Sequence, residues 1–168
     1  LGGRALYLSE AEVGLGKREP VADVARVLSR FVNGIAARTF AHATVESLAE
    51  HATIPVINAL SDYEHPCQAL GDLLTILEHK KALQGVTIAY VGDGNNVANS
   101  LLLAACLVGA NFRIAAPPGY EMQPSVIKLA KKSAARSGSE ITCVTDPAKA
   151  VKGADVVYTD VWTSMGQE

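Results

Sequence analysis

Strand-type and helix-type segments alternate along this chain from one end to the other, and that alternation leaves few folds open. Short apolar runs separated by stretches of helical period pair in parallel, with each helix serving as the crossover. The expected order is strand 4–9, helix 21–32, strand 34–38, helix 41–51 and strand 55–59. After it come helix 65–83, strand 86–92, helix 96–109, strand 112–116, helix 124–138, strand 141–144, helix 147–152 and strand 156–161. The class is α/β, in two doubly wound parallel-sheet units. The segment 65–83 is the longest helix, because Leu70, Leu73, Leu74 and Leu77 recur at helical spacing and Pro66 stands where a first-turn proline fits. It joins the units, so the expected organisation is a first domain over 1–64, an interdomain helix over 65–84 and a second domain over 85–168. The chain starts at Leu1, not Met, directly before a strand-like run, and stops at Glu168 just after a motif. We therefore expect a segment of a longer polypeptide, its first unit truncated at the N-terminus and its second at the C-terminal end.

Composition removes several classes of function. A net charge of -2 gives no basic field to draw the chain onto nucleic acid or acidic lipid, so an anionic ligand needs a local site. No apolar run approaches the roughly 18 residues that cross a bilayer. Cys67, Cys106 and Cys143 are odd in number and have no paired spacing, which reads as reduced thiols in a cytoplasmic setting. His42, His51 and His79 lack a second ligand at metal spacing, so zinc is not expected.

Four motifs fall where strands end and helices begin, the usual ligand crevice of such sheets. His65-Pro66-Cys67-Gln68 opens the long helix, where free N–H groups and the positive dipole end suit an anion or a developing oxyanion. His65 and Gln68 share a face there, although a plain helix cap with a solvated glutamine fits the same pattern. Arg38, in Ala36-Ala37-Arg38-Thr39-Phe40, ends an apolar strand; its planar fork suits phosphate or carboxylate, and an exposed strand-end arginine is the simpler alternative. Gly92-Asp93-Gly94-Asn95-Asn96 suggests a dinucleotide fingerprint, but Val97 stands at the third glycine and no acidic residue ends the next strand near Ala115-Ala116. It leaves a tight turn in which Asn95 is best read as a helix cap, while Asn96 is free to meet a zwitterion. Asp160-Val161-Trp162-Thr163-Ser164-Met165-Gly166 follows the last strand and offers a carboxylate for an ammonium group, or an ordinary capped turn.

In this order and with these separations, the four motifs resemble the ornithine carbamoyltransferases of the aspartate/ornithine carbamoyltransferase family, over the whole chain. The Ser164-Met165-Gly166 stretch is the feature that separates the ornithine branch from the aspartate branch. The resemblance implies transfer of the carbamoyl group of carbamoyl phosphate to the δ-amine of L-ornithine, giving citrulline and phosphate. By the same resemblance Arg38, His65, Pro66, Cys67 and Gln68 meet carbamoyl phosphate, with Arg38, His65 and Gln68 as catalytic residues. Asn96, Asp160, Ser164 and Met165 hold ornithine. It implies no metal or organic cofactor, and a homotrimer or multiple of trimers in which phosphate-site residues come from a neighbouring subunit. The family's Ser-Thr-Arg-Thr loop would precede Leu1 and its His-Cys-Leu-Pro motif would follow Glu168. A sister enzyme acting on acetylated ornithine or putrescine, or a noncatalytic binding module of the same fold, remain the alternatives.

Overall fold

The structure, a computed structural model, describes residues 2–161. Its elements run α1 (Glu10–Val13), α2 (Val21–Leu28), β1 (Ile35–Arg38), α3 (His42–His51), β2 (Val56–Leu60) and α4 (Pro66–Lys80). The second half continues β3 (Thr87–Val91), α5 (Asn96–Val108), β4 (Asn111–Ala115), α6 (Pro124–Ser137), β5 (Ile141–Val144), α7 (Pro147–Val151) and β6 (Val156–Tyr158). All strand pairs are parallel: β1 with β2 in one sheet, and the order β5-β4-β3-β6 in the other. The α/β expectation holds.

Local chemistry accounts for the helix limits. Pro66 and Pro124 occupy first-turn positions, where a missing N–H costs nothing. Gly109 and Gly138 follow α5 and α6 with φ of 81° and 82°, a left-handed cap that a side chain would strain. Lys81 ends α4 in the same region at φ 64° without being glycine. Helix 21–32 proves shorter than its pattern: α2 stops at Leu28, and the Ser29 hydroxyl bonds back to the Ala25 carbonyl at 2.7 Å.

The core lies mainly in the second sheet. Ile88, Tyr90, Leu101, Leu102, Phe112 and Val126 are fully buried between the sheet and the helices α5 and α6. Chain order runs outward from β3 through β4 to β5 and then returns to β6 on the other side of β3. The strand order therefore reverses between β3 and β6, and their carboxyl ends flank a crevice there. The first unit has a small core of Ala25, Ala37, Val45 and Leu48 under a two-stranded sheet.

Two further expectations are corrected. Residues 4–9 form no strand: Leu6, Tyr7 and Leu8 are 77%, 89% and 49% exposed, and no ladder reaches them among the described residues. Their apolar pattern is strand-like, but a strand is made by its neighbours. The last strand ends at Tyr158, so Asp160 lies in the turn beyond it. No helix among the described residues is long and apolar enough to cross a membrane.

Candidate active site

The turn from β2 into α4 is organised by Ser61, which is completely buried. Its hydroxyl meets His42 Nδ1 at 2.8 Å, accepts from Asn58 Nδ2 at 3.3 Å and accepts from the Glu64 N–H at 3.1 Å. Asp62 accepts the His42 N–H at 2.9 Å and so caps α3. His65 is the N-cap residue of α4 by backbone position, but its side chain makes no cap bond and its buried Nδ1 has no hydrogen-bond partner among the described residues. Cys67 is exposed in the first turn and its thiol points at the Asn58 carbonyl at 3.5 Å. Gln68 is exposed too, with Nε2 donating to Asp72 Oδ1 at 2.8 Å. Arg38 leaves the carboxyl end of β1 with its side chain exposed, just past an irregularity in the β1–β2 register.

The second unit approaches with the turn that follows β3. Gly94 could carry no side chain, because a Cβ would collide with the backbone of Met122. This explains the second glycine of the motif without any nucleotide. Asn95 caps α5, its Oδ1 accepting from Val97 and Ala98 N–H at 3.1 and 3.0 Å, as its sequence suggests. The other end of the same amide donates to Asp160 Oδ2 at 2.8 Å and fixes that carboxylate at the carboxyl end of the sheet. Asn96 is buried and its Nδ2 donates to the Ser61 carbonyl at 2.7 Å. Because an amide nitrogen carries two protons, one of them remains for a ligand. Ser164 and Met165 lie outside the described residues.

Electrostatics join the two halves. His65 is held below the ordinary histidine pKa first by burial and then by the positive charge of Arg38; Asp160 and Asp72 pull the other way and are outweighed. His65 therefore feels charges from both halves of the join, and with its pKa held below 6.5 the imidazole is mainly neutral near pH 7. Tyr90 and Tyr158 stack with centroids 5.5 Å apart beside Asp160. Burial and then the Asp72 charge push Tyr158 up to about 12; burial and then Asp160 raise Tyr90 as well, so both phenols stay protonated donors.

Sequence reasoning singled out Arg38, His65, Gln68, Asn96 and Asp160, and the fold gathers these at the join. It missed Ser61, Asp72, Asn99, Ser100 and the two tyrosines. The one available signal was polarity at positions three and four after Asn96 in an otherwise apolar helix. An open depression of about 450 Å3 is lined by Ala41, His42, Ala43, Asp62, Tyr63 and Gln123, and none of the expected ligand residues lines it. Among the described residues no His, Cys, Asp and Glu side chains group in threes to hold a metal.

Arg38 and His65 come from the first unit and Asp160 from the second, and the charges of both Arg38 and Asp160 reach the His65 imidazole. Comparison with known proteins gives the class. Residues 1–78 match the aspartate/ornithine carbamoyltransferase carbamoyl-P binding domain, and residues 84–168 match the aspartate/ornithine carbamoyltransferase Asp/Orn binding domain. The chain belongs to the aspartate/ornithine carbamoyltransferase family. Within it, the chain is 58% identical to the ornithine carbamoyltransferase of Thermococcus kodakarensis, an alignment covering 100% of this chain and 53% of that protein. The anabolic ornithine carbamoyltransferase of Pyrococcus furiosus is 56% identical over the same 100% and 53%. A solved structure of the Pyrococcus furiosus enzyme superposes with a TM-score of 0.96 over 99% of this chain and 53% of that one. The anabolic enzyme from Campylobacter jejuni, 41% identical, gives 0.92 over 99% and 55%. The chain spans about half the length of these relatives.

Proposed function

We propose that the complete enzyme containing this chain transfers the carbamoyl group of carbamoyl phosphate to the δ-amine of L-ornithine, forming L-citrulline and phosphate. The observation that carries this reading is the charge cluster of Arg38, neutral His65 and Asp160 at the join of the two units. The neutral amine attacks the carbonyl carbon, and the electron pair of the C=O bond moves onto oxygen. When it returns, the bond to the phosphate oxygen breaks, and the proton lost by the amine nitrogen passes to the departing phosphate. His65 and Arg38 donate to the oxygen where charge develops, with Arg38 also on the phosphate. A neutral imidazole suits that donation, since it need not be protonated at the working pH.

Gln68 receives the carbamoyl amide: its Nε2 donates to Asp72 and its amide also bonds Tyr158, so its Oε1 is the end that accepts from the substrate. Pro66 and Cys67 line the same first turn, whose free N–H groups favour the anion. Asp160 takes the α-ammonium group of ornithine, flanked by Asn96, Ser164 and Met165. Held together, the two substrates gain most of their rate from proximity. In this reading residues 1–64 belong to the carbamoyl-phosphate domain, 65–84 to the connecting helix and 85–168 to the ornithine domain. The enzyme is a cytoplasmic trimer, or a multiple of trimers, that needs no metal or cofactor. The test is an assay of the complete enzyme with ornithine, N-acetylornithine and putrescine as acceptors, with and without exhaustive chelation. Citrulline formed from ornithine alone, unaffected by chelation, is expected; preference for another acceptor overturns the assignment of the amine.

A further inference from the structure

Among the described residues the His65 imidazole makes no cap bond and its buried Nδ1 has no hydrogen-bond partner. Its backbone is held from the other unit: the His65 N–H donates to Ser100 Oγ at 2.7 Å. Two more bonds from the same helix hold the same loop, Asn99 Nδ2 to the Tyr63 carbonyl at 3.0 Å and Asn96 Nδ2 to the Ser61 carbonyl at 2.7 Å. Positions 96, 99 and 100 form one face of α5, and all three side chains are buried. Buried polar groups in an apolar helix call for partners, and here each of the three side chains makes one bond to the loop leading into His65, although Asn99 Oδ1 stays unpaired among the described residues. The same helix begins at Asn95, which holds Asp160. One rigid element thus sets the distance between the two sides of the cleft.

We propose that Ser100 is a positioning residue for the carbamoyl transfer, acting through the His65 backbone from the opposite unit. This inference rests on the role given to His65 above. In Ser100→Ala the His65 N–H loses its acceptor and the first turn of α4 is free to shift; a misplacement of about 1 Å costs up to about 100-fold in rate. The experiment is a double-mutant cycle on the complete enzyme with kcat and KM measured for both substrates. Ser100→Ala is expected to lower kcat on the order of 10- to 100-fold. Ser100→Thr, which keeps the hydroxyl, is expected to recover most of it. In a His65→Ala background, adding Ser100→Ala is expected to change kcat by less than about twofold, since coupled residues do not add. A structural role alone would give the same loss in both backgrounds, and that result overturns the inference while leaving the proposed reaction standing. An unchanged kcat in Ser100→Ala overturns it too. Full activity in His65→Ala overturns the inference and the histidine's role together.

Discussion

Replacing Asp160 by Asn removes a charge but keeps an oxygen that can accept the Asn95 amide, so the substitution tests electrostatics more than shape. Losing a carboxylate–ammonium contact in a partly buried setting is worth about 2–3 kcal/mol, or roughly 30- to 150-fold in ornithine affinity. Calorimetric titration of both substrates is the measurement, and carbamoyl phosphate should be nearly unaffected; equal ornithine affinity would reduce Asp160 to a turn residue. Arg38→Ala should act on the opposite substrate, weakening carbamoyl phosphate by about 2–4 kcal/mol in the same assay. His65 adds a pH signature. Its folded pKa is depressed, mainly by burial, so its neutral form is favoured by folding. The stability it contributes is complete above the unfolded value near 6.5 and is lost as pH falls through the lower folded value. An NMR titration should therefore find an imidazole midpoint below 6.5 that disappears in His65→Gln. These residues were legible because each sits at the end of an element. Asp72 and Tyr158 were not, since an acid on a helix and a tyrosine in a strand carry no local mark of what faces them.

Among the elements, α5 combines the most constraints. Asn95→Ala removes an N-cap worth about 0.5–2 kcal/mol, and it also releases Asp160. Urea unfolding should show the first effect and a raised KM for ornithine the second; a stability loss with unchanged KM would separate cap from site. Gly94→Ala forces a methyl group against the Met122 backbone and should destabilise by about 1–3 kcal/mol even though alanine is small. Helix positions in the second unit were readable to within a residue or two, because proline starts and glycine stops mark them. The run 4–9 misled for the opposite reason. Alternating apolar residues record what a segment can do beside a sheet, whereas Leu6 and Tyr7 have no sheet beside them here.

The two halves differ in how well they support themselves. Four paired strands flanked by α5, α6 and α7 enclose the larger core, while β1 and β2 form a two-stranded sheet over a few small side chains. Hydrogen exchange on this 168-residue chain should therefore protect the amides of β3 and β4 longer than those of β1 and β2. Comparable protection would show the first unit to be stable unaided. The chain alone should form no citrulline, since it spans about half the length of its relatives. The exposed stripe of Leu70, Leu74 and Leu77 along α4 was visible as a helical period, but the sequence could not say that this side would face outward. Helical periodicity marks which side chains share a face and leaves open what lies against it. The three thiols, finally, divide by accessibility and acidity into a built-in reporter. Cys106 is buried, with its pKa pushed up to about 11, while Cys143 is exposed as Cys67 is but has its thiol pKa raised by partial desolvation. Cys67 stands exposed between His65 and Gln68. An alkylating reagent at neutral pH should mark Cys67 first, and saturating carbamoyl phosphate should slow that mark, leaving a footprint of the bound anion that a mass spectrometer reads from one sulfur atom.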